Sequence, residues 1–244
     1  MKNRTLDVAT SFVASALRLG FGAEVVKLGT RPTRLLELWE FESCPFCRKV
    51  REALSVLDLD AVVHPCPKGG TRFRSEVLRR GGKELFPFLY DPNTGREMYE
   101  SDDIVHALFQ RYGDGQIPRP LRSEAMTAAG SLASAIRLGG GTFARPSLTP
   151  ERPLELWSFE ASPYCRIVRE TLCELELPYL LHNVAKGSPR RAEFVRRSGK
   201  MRVPYLFDPN RAIGLFESTD IVRYLEEHYA PKAPRAKRPK EDLP

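Results

Sequence analysis

The stretch ELWEFESCPFCR at residues 37–48 occurs again, slightly changed, as ELWSFEASPYCR at residues 155–166. The second stretch begins 118 residues after the first and matches it at eight of twelve positions. Each stretch overlaps a mostly apolar run, which in the first copy spans residues 35–41. Such a run is typical of a strand buried on both faces. Apolar residues then recur at steps of three and four between residues 47 and 57, which predicts an amphipathic helix. The chain therefore predicts a buried strand followed directly by a helix, twice.

The similarity continues downstream, so the repeated unit is much longer than twelve residues. Lys-Gly, Gly-Lys, X-Pro-aromatic-Leu, Asp-Pro-Asn and Glu-Ser-X-Asp-Ile-Val motifs occur in the same order in both copies. A two-unit repeat can share one core, but each copy is long enough for its own. We therefore predict two domains, at residues 1–115 and 121–230, joined near residues 113–120. The basic, proline-rich tail at residues 231–244 is expected to be disordered.

Each copy reads as helix, strand, helix, strand, helix, strand, strand, helix. The first of these helices lies at about 6–20 and again at about 122–138, where ALRLG is matched by AIRLG. DPNTG at residues 91–95 is a turn signal between two short strand patterns and predicts a hairpin. Ser101 and Ser218 are predicted N-caps of the closing helices. The pattern predicts an α/β fold in which each copy forms a mixed four-stranded sheet flanked by helices and preceded by an extra helix.

The composition excludes several classes of protein. Hydrophobic residues make up 42% of the chain and no apolar run approaches the roughly 18 residues that cross a bilayer, so we expect a soluble chain without a membrane span. The net charge of +7 includes +3 from the last fourteen residues, which argues against nucleic-acid binding. Five cysteines, an odd number, indicate a reducing compartment, and we expect a cytoplasmic protein. Because the N-terminal helix belongs to the repeat, it is not expected to be a removable targeting signal.

The CPFC motif at residues 44–47 lies where the first strand turns into a helix. A thiol at a helix N-terminus, beside Arg48 and Lys49, is expected to have a lowered pKa and to act as a nucleophilic thiolate. Cys47 lies on the same side of the helix and can attack a mixed disulfide formed at Cys44. The motif favours redox chemistry with Cys44 and Cys47 as catalytic residues.

Other interpretations of the first-copy cysteines stay open. Cys44 and Cys47 could be an inert core pair, or half of a zinc site completed by His64 and Cys66. The sequence has no second CxxC motif, so zinc is disfavoured and no metal site is expected. Cys66 is either a second resolving thiol or an inert one, and the inert interpretation is preferred.

The second copy has Ser162 where the first has Cys44, so it cannot perform thiol exchange by the same route. A hydroxyl at a helix N-terminus can donate a hydrogen bond to a bound thiolate. The alternative is a decayed site retained for packing. Cys165 and Cys173 are expected to be structural core residues.

With these motifs in order, about 75 to 80 residues of each copy resemble the glutaredoxin and glutathione S-transferase N-terminal branch of the thioredoxin superfamily. CPFC resembles the glutaredoxin active-site motif. The Phe86-Pro87 and Val203-Pro204 junctions resemble the family's cis-proline, whose preceding residue contacts the cysteinyl part of glutathione. Glu100-Ser101 and Glu217-Ser218 resemble the family's glutamyl-binding motif.

The resemblance implies glutathione as the ligand. A peptide with a carboxylate at each end needs anion sites along an extended cleft, for which a helix N-terminus and lysine side chains are suited. The residues expected to bind glutathione are Lys68, Lys83, Phe86, Pro87, Glu100, Ser101, Lys186, Lys200, Val203, Pro204, Glu217 and Ser218.

The leading hypothesis is a glutathione-linked thiol–disulfide oxidoreductase that acts on a disulfide or a glutathionylated substrate, with Cys44 as nucleophile and a divergent second copy. One alternative is a glutathione transferase or isomerase that uses Ser162 or Cys44. Another is a non-enzymatic module that binds glutathione or an iron–sulfur cluster. Conventional transferases continue into an all-helical domain, whereas this chain continues into another copy, which argues against the transferase. The physiological substrate, the oligomeric state, the domain orientation and the copy that binds glutathione are not predicted.

Overall fold

The computed structural model describes residues 8–13, 20–26, 28–122, 137 and 139–231. Residues 8–13 are helical, as expected for part of the first extra helix. Most of the second extra helix, and the tail beyond residue 231, lie outside the described residues.

The elements of the first copy follow the order that the sequence predicts. Pro45 occupies the start of the first long helix, where its missing N–H costs no hydrogen bond. The second helix ends at Gly82, whose φ of 72° explains why a Gly-Lys pair occurs at this place in the repeat. The elements are β1 (Leu36–Glu40), α1 (Pro45–Val56), β2 (Ala61–Pro65), α2 (Arg74–Gly81), β3 (Phe88–Asp91), β4 (Arg96–Met98), α3 (Ser101–Tyr112) and α4 (Arg119–Arg122).

The second copy repeats the same series from its first strand to its closing helix. Its second helix also ends at a glycine, Gly199, with φ of 84°. The elements are β5 (Leu154–Ser158), α5 (Pro163–Glu174), β6 (Tyr179–Asn183), α6 (Arg191–Ser198), β7 (Tyr205–Asp208), β8 (Ile213–Phe216) and α7 (Ser218–Tyr229).

The strands form one eight-stranded mixed sheet in the order β4-β3-β1-β2-β6-β5-β7-β8. In each half, the first two strands are parallel and the last two run antiparallel, so the mixed α/β fold is confirmed. The halves join where β2 pairs antiparallel with β6, with Val62 opposite Leu180. An exposed edge strand is a template for unwanted pairing, and this junction covers the β2 and β6 edges with each other. The sequence did not predict the junction.

The apolar core divides mainly by copy. One large cluster packs α1 and α3 of the first copy on β1, and a second packs α5 and α7 on β5. Val63 of β2 is an exception, because it packs in the second-copy cluster. The two-domain boundaries stay a prediction, since each copy has most of a core but the sheet is shared.

The N-cap prediction for the closing helices was wrong. Ser101 and Ser218 are the first helical residues, and the N-cap positions are Glu100 and Glu217. Both glutamates have positive φ, 60° and 65°, and neither makes a side-chain capping bond. The chain thus turns sharply at the glutamate, which moves each serine one position into the helix.

The segments that precede each copy cross to the other copy. We call residues 8–13 and 20–26 the first leader, and residues 137 and 139–145 the second leader. In the first leader, Val25 N donates to Lys186 O and Lys186 N donates to Ala23 O, both at 2.8 Å. The second leader pairs in the same way with the matching loop of the first copy, because Lys68 N donates to Thr142 O at 2.7 Å. Each lysine loop is therefore bordered by a segment from the opposite repeat.

Within the described residues, no helix combines the length and the apolar character that crossing a membrane requires.

Candidate functional site

Cys44 is the N-cap residue of α1, in an extended conformation. Its Sγ accepts a hydrogen bond from the Cys47 backbone N at 3.3 Å, in place of the hydroxyl that usually caps a helix. Only 4% of the residue is exposed, so the surrounding protein covers most of it. The local geometry is that of an activated thiol at the positive end of a helix.

The pKa of Cys44 is lowered to about 7, from an ordinary value of 9.0. The main cause is a hydrogen bond from the Cys47 thiol, and backbone N–H groups and the charge of Arg51 act in the same direction against the effect of burial. The sequence predicted a lowered pKa and attributed it partly to Arg48 and Lys49, but neither is among its main causes. Arg48 lies 3.7 Å from a carboxylate oxygen of Glu160, and Lys49 bonds to Asp102, because burial of α1 directs both side chains to acids elsewhere.

Cys47 has the opposite environment. It is completely buried, and burial together with its bond to Cys44 raises its pKa well above the ordinary value. Proteins assign two chemical roles to a pair of titratable groups by shifting their pKa values in opposite directions. Cys44 is suited to be the nucleophile, and Cys47 the proton donor or the later resolving thiol.

Arg51 belongs to a buried ionic cluster between the two copies. Its Nε lies 3.0 Å from Glu160 of the second copy, and Arg169 Nε lies 3.0 Å from Glu42 of the first. Arg169 also reaches Glu160 at 2.8 Å, and Arg51 also pairs with Glu40. Each copy thus supplies the counterion for the other copy's arginine.

The carboxylates of this cluster differ in their tendency to ionise. Burial raises the pKa of Glu40 to about 7, despite attraction from Arg51. Burial also opposes ionisation of Glu160, but attraction from Arg169, Arg51 and other arginines outweighs it and lowers the pKa to about 2. Sequence reasoning missed this cluster. The available signal was that Glu42 and Arg51 recur as Glu160 and Arg169, with the two arginines inside apolar helices.

The two proline junctions are cis, as the resemblance implied, at Phe86-Pro87 and Val203-Pro204. In the first copy, the Phe86 ring lies 6.2 Å from the ring of Phe41, whose carbonyl accepts a hydrogen bond from Cys44 N. The junction therefore lies beside the loop that carries Cys44.

The predicted glutamyl motifs differ between the copies. Ser101 and Ser218 are both buried at the start of a helix. Glu217 forms an ion pair with Arg202 at 2.9 Å, whereas Glu100 is exposed and makes no ion pair within the part of the chain that the structure describes. The carboxylate of Glu100 is therefore available to the ammonium group of a ligand.

The four predicted lysines lie on exposed loops. Lys186 Nζ pairs with Glu24 at 2.7 Å, and Lys200 Nζ lies 4.3 Å from the centre of the Phe216 ring. Lys68 and Lys83 make no ion pair with any described residue, so their charges are available to a ligand carboxylate.

Ser162 caps α5 as Cys44 caps α1, with Oγ accepting from Cys165 N at 3.3 Å, and it is also 4% exposed. The helical residues of the first leader lie over the adjoining motif. Ser11 Oγ donates to Pro163 O at 2.7 Å, and the rings of Phe12 and Tyr164 meet edge to face at 5.6 Å.

All five cysteines, each among the described residues, are free and buried. The Cys66 thiol donates to the carbonyl of His64 at 3.4 Å, and burial raises its pKa, which supports the inert interpretation. Cys165 and Cys173 lie in the core, in agreement with structural roles. Among the described residues, no group of three or more His, Cys, Asp or Glu side chains is arranged to hold a metal ion. A cavity of about 600 Å³ lies between β4 and α3; Glu100 lines it, but Cys44 does not.

The chain is similar to two curated fungal proteins over part of its length. It is 37% identical over 60 residues to a glutathione S-transferase-like protein, tpcF, of Aspergillus fumigatus, which covers 25% of this chain and 27% of that protein. It is 32% identical over 77 residues to another, gedE, of Aspergillus terreus, which covers 32% of this chain and 34% of that protein. The chain thus spans about a third or less of the length of these relatives.

Among solved structures, a trimeric glutathione transferase from Leishmania, TDR1, aligns with 84% of this chain and 70% of its own, at 15% identity and a TM-score of 0.30. The family model for the glutathione S-transferase N-terminal domain matches two segments, residues 38–116 and 156–233. These segments cover most of both repeats, including CPFC and its serine counterpart. The chain therefore belongs to the glutathione S-transferase N-terminal domain family, and carries the domain twice.

Proposed function

We propose that the protein is a glutathione-linked thiol–disulfide oxidoreductase with Cys44 as its nucleophile. The observation that carries this proposal is the position of Cys44 at the N-terminus of α1, where its Sγ accepts a hydrogen bond from Cys47 N at 3.3 Å, its pKa is lowered and that of Cys47 is raised. The lowered pKa increases the fraction of Cys44 present as thiolate, which is the reactive form.

The reaction proceeds by two thiol–disulfide exchanges. The Cys44 thiolate attacks the glutathione sulfur of a glutathionylated substrate, so a Cys44–glutathione disulfide forms and the substrate thiolate leaves and takes up a proton. A second glutathione thiolate then attacks the glutathione sulfur of that disulfide, which releases glutathione disulfide and restores the Cys44 thiolate. Alternatively, Cys47 loses its proton and attacks Cys44, which forms the Cys44–Cys47 disulfide and releases glutathione.

The first-copy residues fit a peptide with two carboxylates and one ammonium group. Lys68 and Lys83 offer cations, and Glu100 offers an anion next to the N-terminus of α3. The backbone N–H groups at that terminus are suited to a carboxylate. The cis junction at Phe86-Pro87 lies beside the Cys44 loop and offers backbone groups to the cysteinyl part of the ligand.

The test is glutathione-dependent reduction of a small mixed disulfide by the full chain. We expect Cys44→Ser to lower the rate at least about 100-fold, to the uncatalysed level, because a hydroxyl is a far weaker nucleophile. Cys66→Ala is the thiol control and should keep the activity, since that thiol is buried and bonded to a carbonyl. Equal activity of wild type and Cys44→Ser would refute the proposal.

Glutathione transfer to an electrophile is the second candidate, and the family match favours it. Of the two residues that the sequence offered, Cys44 lies in the copy whose charged positions are available, whereas Lys186 and Glu217 of the second copy are paired within the chain. Conjugation across a panel of electrophiles, compared among wild type, Cys44→Ser and Ser162→Ala, tests this candidate. Loss of turnover in Ser162→Ala would move the activity to the second copy.

The five free thiols support a reducing compartment such as the cytoplasm. The expected partners are glutathione and a disulfide or glutathionylated substrate.

A further inference from the structure

The two copies differ most where their loops carry matching charged residues. Lys68 and Glu100 of the first copy match Lys186 and Glu217 of the second. Within the described residues, Lys68 and Glu100 make no ion pair. Lys186 and Glu217 each form an ion pair with another residue of the chain.

Lys186 is paired by the first leader. Glu24 Oε1 lies 2.7 Å from Lys186 Nζ, and backbone bonds to Ala23 and Val25 hold the two segments together. In the first copy the second leader runs along Lys68 in the same way, but the residue at the position of Glu24 is Phe143. Phe143 is exposed and cannot neutralise Lys68.

Glu217 is paired by the residue just before the proline junction. Arg202 Nη1 lies 2.9 Å from Glu217 Oε1, and the matching residue of the first copy is Leu85, which is exposed. The chain thus places a carboxylate on Lys186 and a guanidinium on Glu217. These are the charges that the two ends of a glutathione-like peptide would present.

We infer that the first copy binds glutathione more tightly than the second, because Glu24 and Arg202 occupy two charged subsites of the second copy. This inference rests on the proposed function of the first-copy site. The first leader adds to the closure, because Ser11 and Phe12 lie on Pro163 and Tyr164 next to Ser162. The second copy then supports the first in two ways. The backbone of Thr142 and Ala144 is hydrogen-bonded to that of Lys68, and Glu160 pairs with Arg51 in the ionic cluster.

The size of the effect follows from exposure. The side chains of Glu24 and Arg202 are 61% and 58% exposed, and exposed ion pairs are weak. Removing one such pair should change ligand affinity by up to about fivefold, and removing both by up to about 25-fold. Both positions accept substitution without loss of buried contacts.

Calorimetric titration of the full chain with S-methylglutathione, which cannot undergo thiol exchange, counts the sites. We expect wild type to bind one equivalent tightly and a second up to about 25-fold more weakly. Glu24→Phe combined with Arg202→Leu carries the first-copy residues into the second copy and should bring the affinity of the second site close to that of the first. The opposite exchange, Phe143→Glu with Leu85→Arg, puts the second-copy residues into the first copy. It should weaken ligand binding at the first site by up to about 25-fold.

Two equivalents of equal affinity in wild type, or an unchanged weak second site in the Glu24→Phe, Arg202→Leu variant, would overturn the inference. A milder variant, Glu24→Gln with Arg202→Gln, removes the same charges and should also strengthen the second site. Thermal unfolding of each variant checks that it is folded. If the tight and weak sites behave as expected but Cys44-dependent reduction is absent, the oxidoreductase proposal fails and the site assignment stands. If wild type binds no S-methylglutathione, the site assignment fails, whatever the reduction assay shows.

Discussion

The sulfur atoms of Cys44 and Cys47 share one hydrogen bond but have opposite tendencies to ionise. Cys44 accepts from the Cys47 thiol and from helix N–H groups, whereas Cys47 donates and is completely buried. Arg51 adds positive charge near Cys44, and acids from both copies surround that arginine. The immediate surroundings of each sulfur therefore set its tendency to ionise, and the ionic cluster adds to the local field.

A pH profile tests this division at the residue scale. The thiolate fraction of Cys44 rises as pH rises through its pKa, so alkylation by iodoacetamide should reach half of its maximal rate near pH 7. Cys47→Ala removes the main hydrogen bond to the thiolate and should move the midpoint upwards, towards 9.0. Cys47→Ser keeps a donor and should leave the midpoint close to that of wild type. Mass spectrometry of the modified protein measures the rates, and equal midpoints for the alanine variant and wild type would contradict the assignment.

At the scale of elements, loops of one copy bind the helix ends of the other. Arg72, in the loop before α2, donates to the carbonyls of Leu175 and Glu176 at 3.1 and 3.0 Å, just beyond the end of α5. The Glu176 carboxylate accepts from the backbone N of Arg72 at 3.0 Å. The last carbonyls of a helix have no partner within the helix, so these bonds satisfy groups that burial would otherwise leave unpaired.

Arg72→Ala should therefore destabilise the protein more than loss of a surface charge. Hydrogen bonds to charged groups contribute about 1.5–3 kcal/mol, and we expect the free energy of unfolding to fall by that amount. Arg223→Ala is the control, because the Arg223–Asp220 pair is exposed and should change stability by less than about 0.5 kcal/mol. Urea unfolding measures both, and equal stabilities of the two variants would contradict this role for Arg72.

At the scale of the whole molecule, the two copies share a sheet and a buried charge cluster. Neither feature is complete within one copy, because β2 pairs with β6 and Glu160 pairs with Arg51. Removing one partner of a buried pair leaves the other charge uncompensated in a medium of low dielectric constant. The copies are therefore expected to fold as one unit.

The two tryptophans, one in each copy, report on this coupling. Trp39→Phe leaves Trp157 as the probe of the second copy, and Trp157→Phe leaves Trp39 as the probe of the first. Fluorescence-detected urea unfolding should give the same midpoint for both probes. In both backgrounds Glu160→Gln should lower the free energy of unfolding by about 3–5 kcal/mol. Separate midpoints, or a shift confined to the second-copy probe, would show that the copies unfold independently.

The apolar run at residues 35–41 predicted β1 within one residue at each end. The steps of three and four after Cys44 predicted α1, which ends at Val56 rather than Leu57. The turn at residues 91–95 predicted the hairpin of β3 and β4. The N-caps at Ser101 and Ser218 were misplaced by one residue, because a serine before acids reads as a cap unless the positive φ of the preceding glutamate is known.

The sequence by itself determined the repeat, the α/β class, the family and the contrast between Cys44 and Ser162, because periodicity, turns and short motifs depend on residues close together in the chain. Only the tertiary structure decided that the two sheets are one, that Arg51 rather than Arg48 or Lys49 acts on Cys44, and that Glu24 reaches Lys186. The strand junction, the Arg51–Glu160 pair and the Glu24–Lys186 pair join residues from opposite repeats. They depend on which strand edges and buried charges are left without a partner after each copy has folded, and no local pattern encodes that pairing.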